Sequence, residues 1–148
     1  MRKTTERDIA NLQDNLYALR RLAGWTAEDL GELVGVTKQT IRNLEKRNNG
    51  ATMSKTQYIA IRTVLDYEIA ENPDNVALKK AVEILLDTEE MPEEDYKKVQ
   101  DAVSVVSGAA ASGMDYETTD SILNTLICTI PFIVDGVSWI ARTLKGVK

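Results

Sequence analysis

Apolar side chains in this chain recur every three or four residues, the spacing of a helix with one buried face. Ile9, Leu12, Leu16, Leu19 and Ala23 fall on one such face, and Gly24 follows as a natural stop. Thr26-Ala27-Glu28-Asp29 has the form of an N-cap with an acidic residue three positions on. The short helix it opens carries Leu30, Leu33 and Val34 and ends at Gly35. Thr37 is a good cap for a third helix, whose apolar face is Ile41 and Leu44. Gly50 marks a break. Ser54-Lys55-Thr56-Gln57 is a further capping box, from which Ile59, Val64, Leu65 and Ile69 run helically to the region of Asn72.

The segment Glu71-Asn72-Pro73-Asp74-Asn75 is polar, contains a proline and ends that helix, so it divides the chain into residues 1–72 and 73–148. The second part is helical too. Val76, Leu78, Val82, Leu85 and Leu86 mark one amphipathic helix. After a turn at Pro92, Glu93, Glu94 and Asp95 form an acidic first turn suited to the helix dipole, and Tyr96, Val99, Ala102, Val103 and Val106 continue it. The small residues Ser107 to Gly113 suit either a linker or a close-packed helix end. Thr118-Thr119-Asp120 is expected to open a long apolar stretch, with Leu123, Ile127, Ile130, Val134, Val137, Ala141 and Leu144 on one stripe. Pro131 should kink or split it near Ile127–Ile130. The expected fold class is all-α.

With 148 residues, 43% apolar and 28% charged, the composition is that of a soluble globular protein of one or two small domains. Histidine is absent, which excludes Ser-His-Asp hydrolysis, His-ligated metals and imidazole acid–base chemistry. A single cysteine, Cys128, cannot form an intramolecular disulfide or a multi-thiolate zinc site, and its place on the apolar stripe suggests a buried, inert thiol. The start, Met1 to Asp8, is polar, so no signal peptide is expected there. A cytoplasmic chain with no catalytic constellation, metal site or cofactor is the expectation; it does not read as an enzyme.

Charge is unevenly spread. The net charge is −5, yet residues 1–72 hold 11 Lys/Arg against 10 Asp/Glu, while residues 73–148 hold 7 against 13. Between 37 and 62 lie Lys38, Arg42, Lys46, Arg47, Lys55 and Arg62, opposed by Glu45 alone. A local basic surface is enough for phosphate contact, because salt screens distant charge.

Two short helices joined by a glycine-containing turn, the second capped by threonine and rich in polar residues, form a helix-turn-helix pattern. The segment from Trp25 to Glu45, with Leu30-x-x-x-x-Gly35-Val36-Thr37 leading to Thr40-Ile41-x-x-Leu44-Glu45, strongly resembles the XRE family of Cro and phage-repressor type. The likeness covers roughly residues 9–71. It implies an N-terminal five-helix, lambda-repressor-like DNA-binding domain, followed here by a C-terminal helical domain. The chemistry of the residues agrees. With Ile41 and Leu44 inward, Lys38, Gln39 and Asn43 point outward from the end of the helix that enters a major groove. Gln and Asn pair bidentately with adenine, and Lys suits guanine.

The resemblance places base-reading roles at Lys38, Gln39, Thr40 and Asn43, and phosphate contacts at Thr37 and Arg42. Thr26, Lys46, Arg47 and Lys55 lie near enough to add phosphate contacts. It also implies an ion pair between Arg20 and Glu45. Two departures stand out. Many members carry Gln at the start of the second helix, where this chain has Ala27, so that backbone contact is absent or comes from Thr26 or Trp25. Trp25 itself suits a core or staple position better than a DNA contact. The glycine that often follows the motif Glu appears only at Gly50, after Lys46-Arg47-Asn48-Asn49, so either the recognition helix is longer or the loop after it differs.

The expected function is a sequence-specific transcriptional regulator, a repressor that binds an inverted-repeat operator in double-stranded DNA as a homodimer. In this reading Leu123, Ile127, Ile130, Val134, Val137 and Leu144 form the dimer interface. Two alternatives come from other classes. One is an antitoxin or anti-regulator whose C-terminal half holds a protein partner. The other is a membrane-tethered regulator, because the window 122–140 carries only one charge, Asp135.

Overall fold

A computed structural model of the chain describes residues 3–46 and 51–133. Among these residues there are seven α-helices and no strand: α1 (Glu6–Leu22), α2 (Ala27–Val34), α3 (Lys38–Glu45), α4 (Lys55–Glu71), α5 (Val76–Leu86), α6 (Glu93–Ala111) and α7 (Tyr116–Ile127). The helix starts follow local chemistry. Thr5, Thr26 and Ser54 each close a reciprocal capping box with the residue three positions on, and Thr37 accepts from Thr40 N–H. Gly24, at φ +83°, ends α1 with paired bonds, its own N–H to Arg21 O and Trp25 N–H to Arg20 O.

Among the described residues of 6–71 there are four helices, not the five expected of the N-terminal part. The fifth comes after Pro73: α5 packs on α1, and the buried Asn75 that caps it donates to Leu22 O at 2.9 Å. α6 also packs along α1, and α7 packs on α5 and α6. The apolar interior is therefore continuous. Leu12, Leu16 and Leu19 of α1, Leu30 and Ile41 of the short helices, and Leu78, Leu85, Val99 and Leu123 from beyond residue 72 belong to one buried cluster.

The long apolar stripe resolves differently from its periodicity. α7 starts at Tyr116, capped by Asp115 (which accepts from Thr118 N–H at 2.7 Å), so it begins ahead of the Thr118-Thr119-Asp120 opening. It ends at Ile127, before Pro131 can disturb it. Leu123, Ile127 and Ile130 are fully buried inside the chain, at 0%, 0% and 3% exposure. They have no area left to offer a second copy, so their assignment to a dimer interface is corrected: the stripe is the seam of α7 against α5 and α6. Val134, Val137 and Leu144 lie outside the described residues. Cys128 is corrected too, because it falls one residue past the end of α7 on the exposed side. The small residues from Ser107 continue α6 through Ala111 and so form a helix end, not a linker; Ser107 is buried, while Gly108 has open space beside it and Ala111 is exposed. Among the described residues no helix is long and apolar enough to cross a membrane.

Buried polar groups tie the later helices to the first. Asn15, on α1, donates to Tyr96 Oη at 3.0 Å and accepts from Gln100 Nε2 at 3.1 Å, and Tyr96 Oη donates to Leu85 O at 2.9 Å. Lys80, nearly buried on α5, reaches Asp120 at 2.9 Å and Asn124 at 2.8 Å on α7. Tyr96→Phe would strand the Leu85 carbonyl and weaken the Asn15 tie, an expected loss of about 1–2 kcal/mol. Burial also raises the Tyr96 phenol above its ordinary value of 10.0. The folded state then holds this proton more tightly than the unfolded one. The contribution is complete below about pH 10 and is lost as pH rises toward the raised folded value. Urea melts at pH 7 and at alkaline pH should show Tyr96→Phe less stable at pH 7 but with a shallower alkaline decline.

Candidate nucleic-acid interface

The turn between α2 and α3 sets the second helix. Gly35 adopts φ +79°, a left-handed conformation that glycine accepts without steric cost, and the N–H groups of Gly35 and Val36 both bond to Gly31 O, at 2.8 and 2.9 Å. A side chain at Gly31 would place its Cβ 2.6 Å from Val36 O, so this glycine permits the turn to close against α2. α3 then buries Ile41 and Leu44, and Glu45 at its end turns inward to Arg20. Lys38, Gln39 and Arg42 are exposed, and Thr40 and Asn43 are half-buried at the edge of the same surface.

The five side chains are partly arranged already. Gln39 Nε2 donates to Asn43 Oδ1 at 2.9 Å, one helical turn away, which aligns the two amides along the outer face. Thr37 and Thr40 share a hydroxyl–hydroxyl bond of 2.9 Å at the helix start. Thr26 and Thr37 spend their side-chain oxygens as caps, accepting from Asp29 N–H and Thr40 N–H. Lys46 and Lys55 are exposed at the ends of α3 and α4. Arg47 lies outside the described residues. Arg62 departs from its role in the basic stretch: its guanidinium pairs bidentately with Asp87 at 2.7 and 2.8 Å and with Asp66 at 3.1 Å. That arginine joins α4 to the end of α5, so its charge is largely neutralised.

Arg20 holds the other end of α3. Its Nε lies 2.5 Å from Glu45 Oε2, its Nη2 3.1 Å from Oε1, and its Nη1 donates to Trp25 O at 3.1 Å. The pair is nearly buried, at 12% and 8% side-chain exposure. It joins the end of α1, the turn into α2 and the last residue of α3. Trp25 is half-buried against the core. α3 ends at Glu45, so it is not lengthened past the motif; Gly50 lies outside the described residues.

Among the described residues, the later helices leave Lys38, Gln39 and Arg42 exposed. At the end of α6, Ala110 and Ala111 line one wall of a depression of about 500 Å³ that also takes in Arg21, Trp25, Lys38 and Arg42. Sequence reasoning missed Gln13, whose amide fastens the segment between α3 and α4. Its partners lie more than thirty residues away, beyond the reach of any local pattern.

Comparison with known proteins agrees with this geometry. Residues 16–72 match a family model described as helix-turn-helix. That match, over less than half of the chain, supports a regulator of the XRE-type helix-turn-helix kind and DNA binding in general. No curated protein and no solved structure matches the chain.

Proposed function

We propose that the protein is a sequence-specific repressor, not an enzyme, that binds an inverted-repeat operator as a homodimer in the cytoplasm. The observation that carries this reading is the outer face of α3, where Lys38, Gln39 and Arg42 are exposed beside a pre-aligned Asn43. A recognition helix of eight residues reads only a half-site, and a second copy one DNA turn away doubles the sequence read and raises affinity. Occupancy of a promoter is sufficient to block it, so repression requires no further activity. Lys38, Gln39, Thr40 and Asn43 read bases. Thr26, Thr37, Arg42, Lys46, Arg47 and Lys55 hold phosphates, which sets affinity without sequence choice.

Selection of duplexes from a randomised library, followed by anisotropy titration across salt concentrations, tests this. The expected product is an inverted repeat with half-site centres about 10 base pairs apart, bound by two protomers with a steep salt dependence. Enrichment of no sequence, or of an unpaired half-site bound by one protomer, would refute the reading.

A further inference from the structure

The connection from α3 to α4 leaves the recognition helix before residue 46 and re-enters the core at Met53. Its two ends meet at one side chain of α1. Gln13 Nε2 donates to Leu44 O at 3.0 Å and to Ala51 O at 2.8 Å, and Gln13 Oε1 accepts from Met53 N–H at 2.9 Å. Leu44 O is one of the carbonyls that an α-helix leaves without an internal partner at its C-terminal end. Met53 is buried at 2% exposure and directly precedes Ser54, the cap of α4. Both amide donors and the carbonyl of Gln13 are thus used on backbone groups. α1 is itself held by α5 and α6.

We infer that Gln13 is a positioning residue for sequence readout: it fixes the end of α3 and the start of α4 against α1, and so sets the placement of Lys38, Gln39 and Asn43 against base edges. This role rests on the DNA-binding reading above. Hydrogen bonds to base edges demand both distance and direction, and they weaken steeply when donors are misaligned. Phosphate contacts by flexible Lys and Arg side chains tolerate a small shift. Loss of Gln13 therefore acts on specific binding and spares non-specific binding. A variant that was merely less folded would lose both by the same factor.

The test uses the full chain and two probes: the duplex most enriched by the wild type from a randomised library, and a shuffled duplex of the same composition. Gln13→Met keeps the length of the side chain and removes all three bonds. Its Kd for the enriched duplex should weaken about tenfold, while its Kd for the shuffled duplex stays within about twofold. Gln13→Glu, isosteric and still able to accept from Met53 N–H, should give the same ratio, which guards against a Gln13→Met chain that does not fold. A wild-type chain that enriches no duplex overturns the DNA reading and this role with it. A wild-type chain that binds selectively, with variants that lose both probes equally or neither, overturns the role of Gln13 alone.

Discussion

Glu45→Ala should lower unfolding stability by about 3 kcal/mol, the largest loss expected from a single polar substitution here. The reason is what remains behind. Arg20 is 12% exposed, and without Glu45 its guanidinium keeps only the Trp25 carbonyl and the face of Tyr17, 5.0 Å away. A charge so placed has neither its carboxylate nor full solvation, and that is far more costly than the loss of a solvent-exposed pair, which is worth under about 1 kcal/mol. The damage should also be local to the site, because Glu45 is the last residue of α3. Urea unfolding of the wild type, Glu45→Ala, Arg20→Ala and the double variant closes a thermodynamic cycle. The coupling energy should be at least about 2 kcal/mol, with the double variant little worse than either single one. Single losses that add, each below about 1 kcal/mol, would show instead that the pair behaves as an ordinary surface contact.

The same pair marks how far the sequence could be read. Arg20 and Glu45 lie 25 positions apart, and nothing in helical spacing joins them; their contact was legible only through the family resemblance. The caps at Thr26, Thr37 and Ser54 needed no such help, because a cap is decided within four residues and its hydroxyl has few other uses. The stripe through Leu123, Ile127 and Ile130 shows the opposite case. Periodicity says that a face is covered but not by what, and here α5 and α6 of the same chain cover it. Cys128 misled for a related reason: it directly follows the buried Ile127, and one helical step of about 100° turns it off the buried line to the exposed side. Gln13 carried no signal at all. A glutamine on a polar helix face looks the same whether water or three distant backbone groups satisfy it.

Replacing both Gln39 and Asn43 by Ala should abolish sequence preference while leaving the protein on DNA. Each amide that pairs bidentately with a base contributes about 1–3 kcal/mol of discrimination. The selected duplex should therefore lose about 2–4 kcal/mol of its advantage over a shuffled one in the double variant. Affinity for the shuffled duplex should hardly change, because Lys38, Arg42, Lys46 and Lys55 carry the phosphate contacts in this reading. The single variants should not add up to the double one. Gln39 donates to Asn43, so removing either amide also releases the other from its alignment, and each single loss already contains part of its neighbour's. Arg42→Ala provides the contrasting case. It should weaken both duplexes alike and reduce the slope of log affinity against log salt by about one, with no change in preference. Titrations of all four variants on both duplexes at several salt concentrations separate the two kinds of contact. If the double Ala variant still prefers the selected duplex, bases are not being read from the Gln39–Asn43 side of α3, and the preference must arise from DNA shape or from a different element.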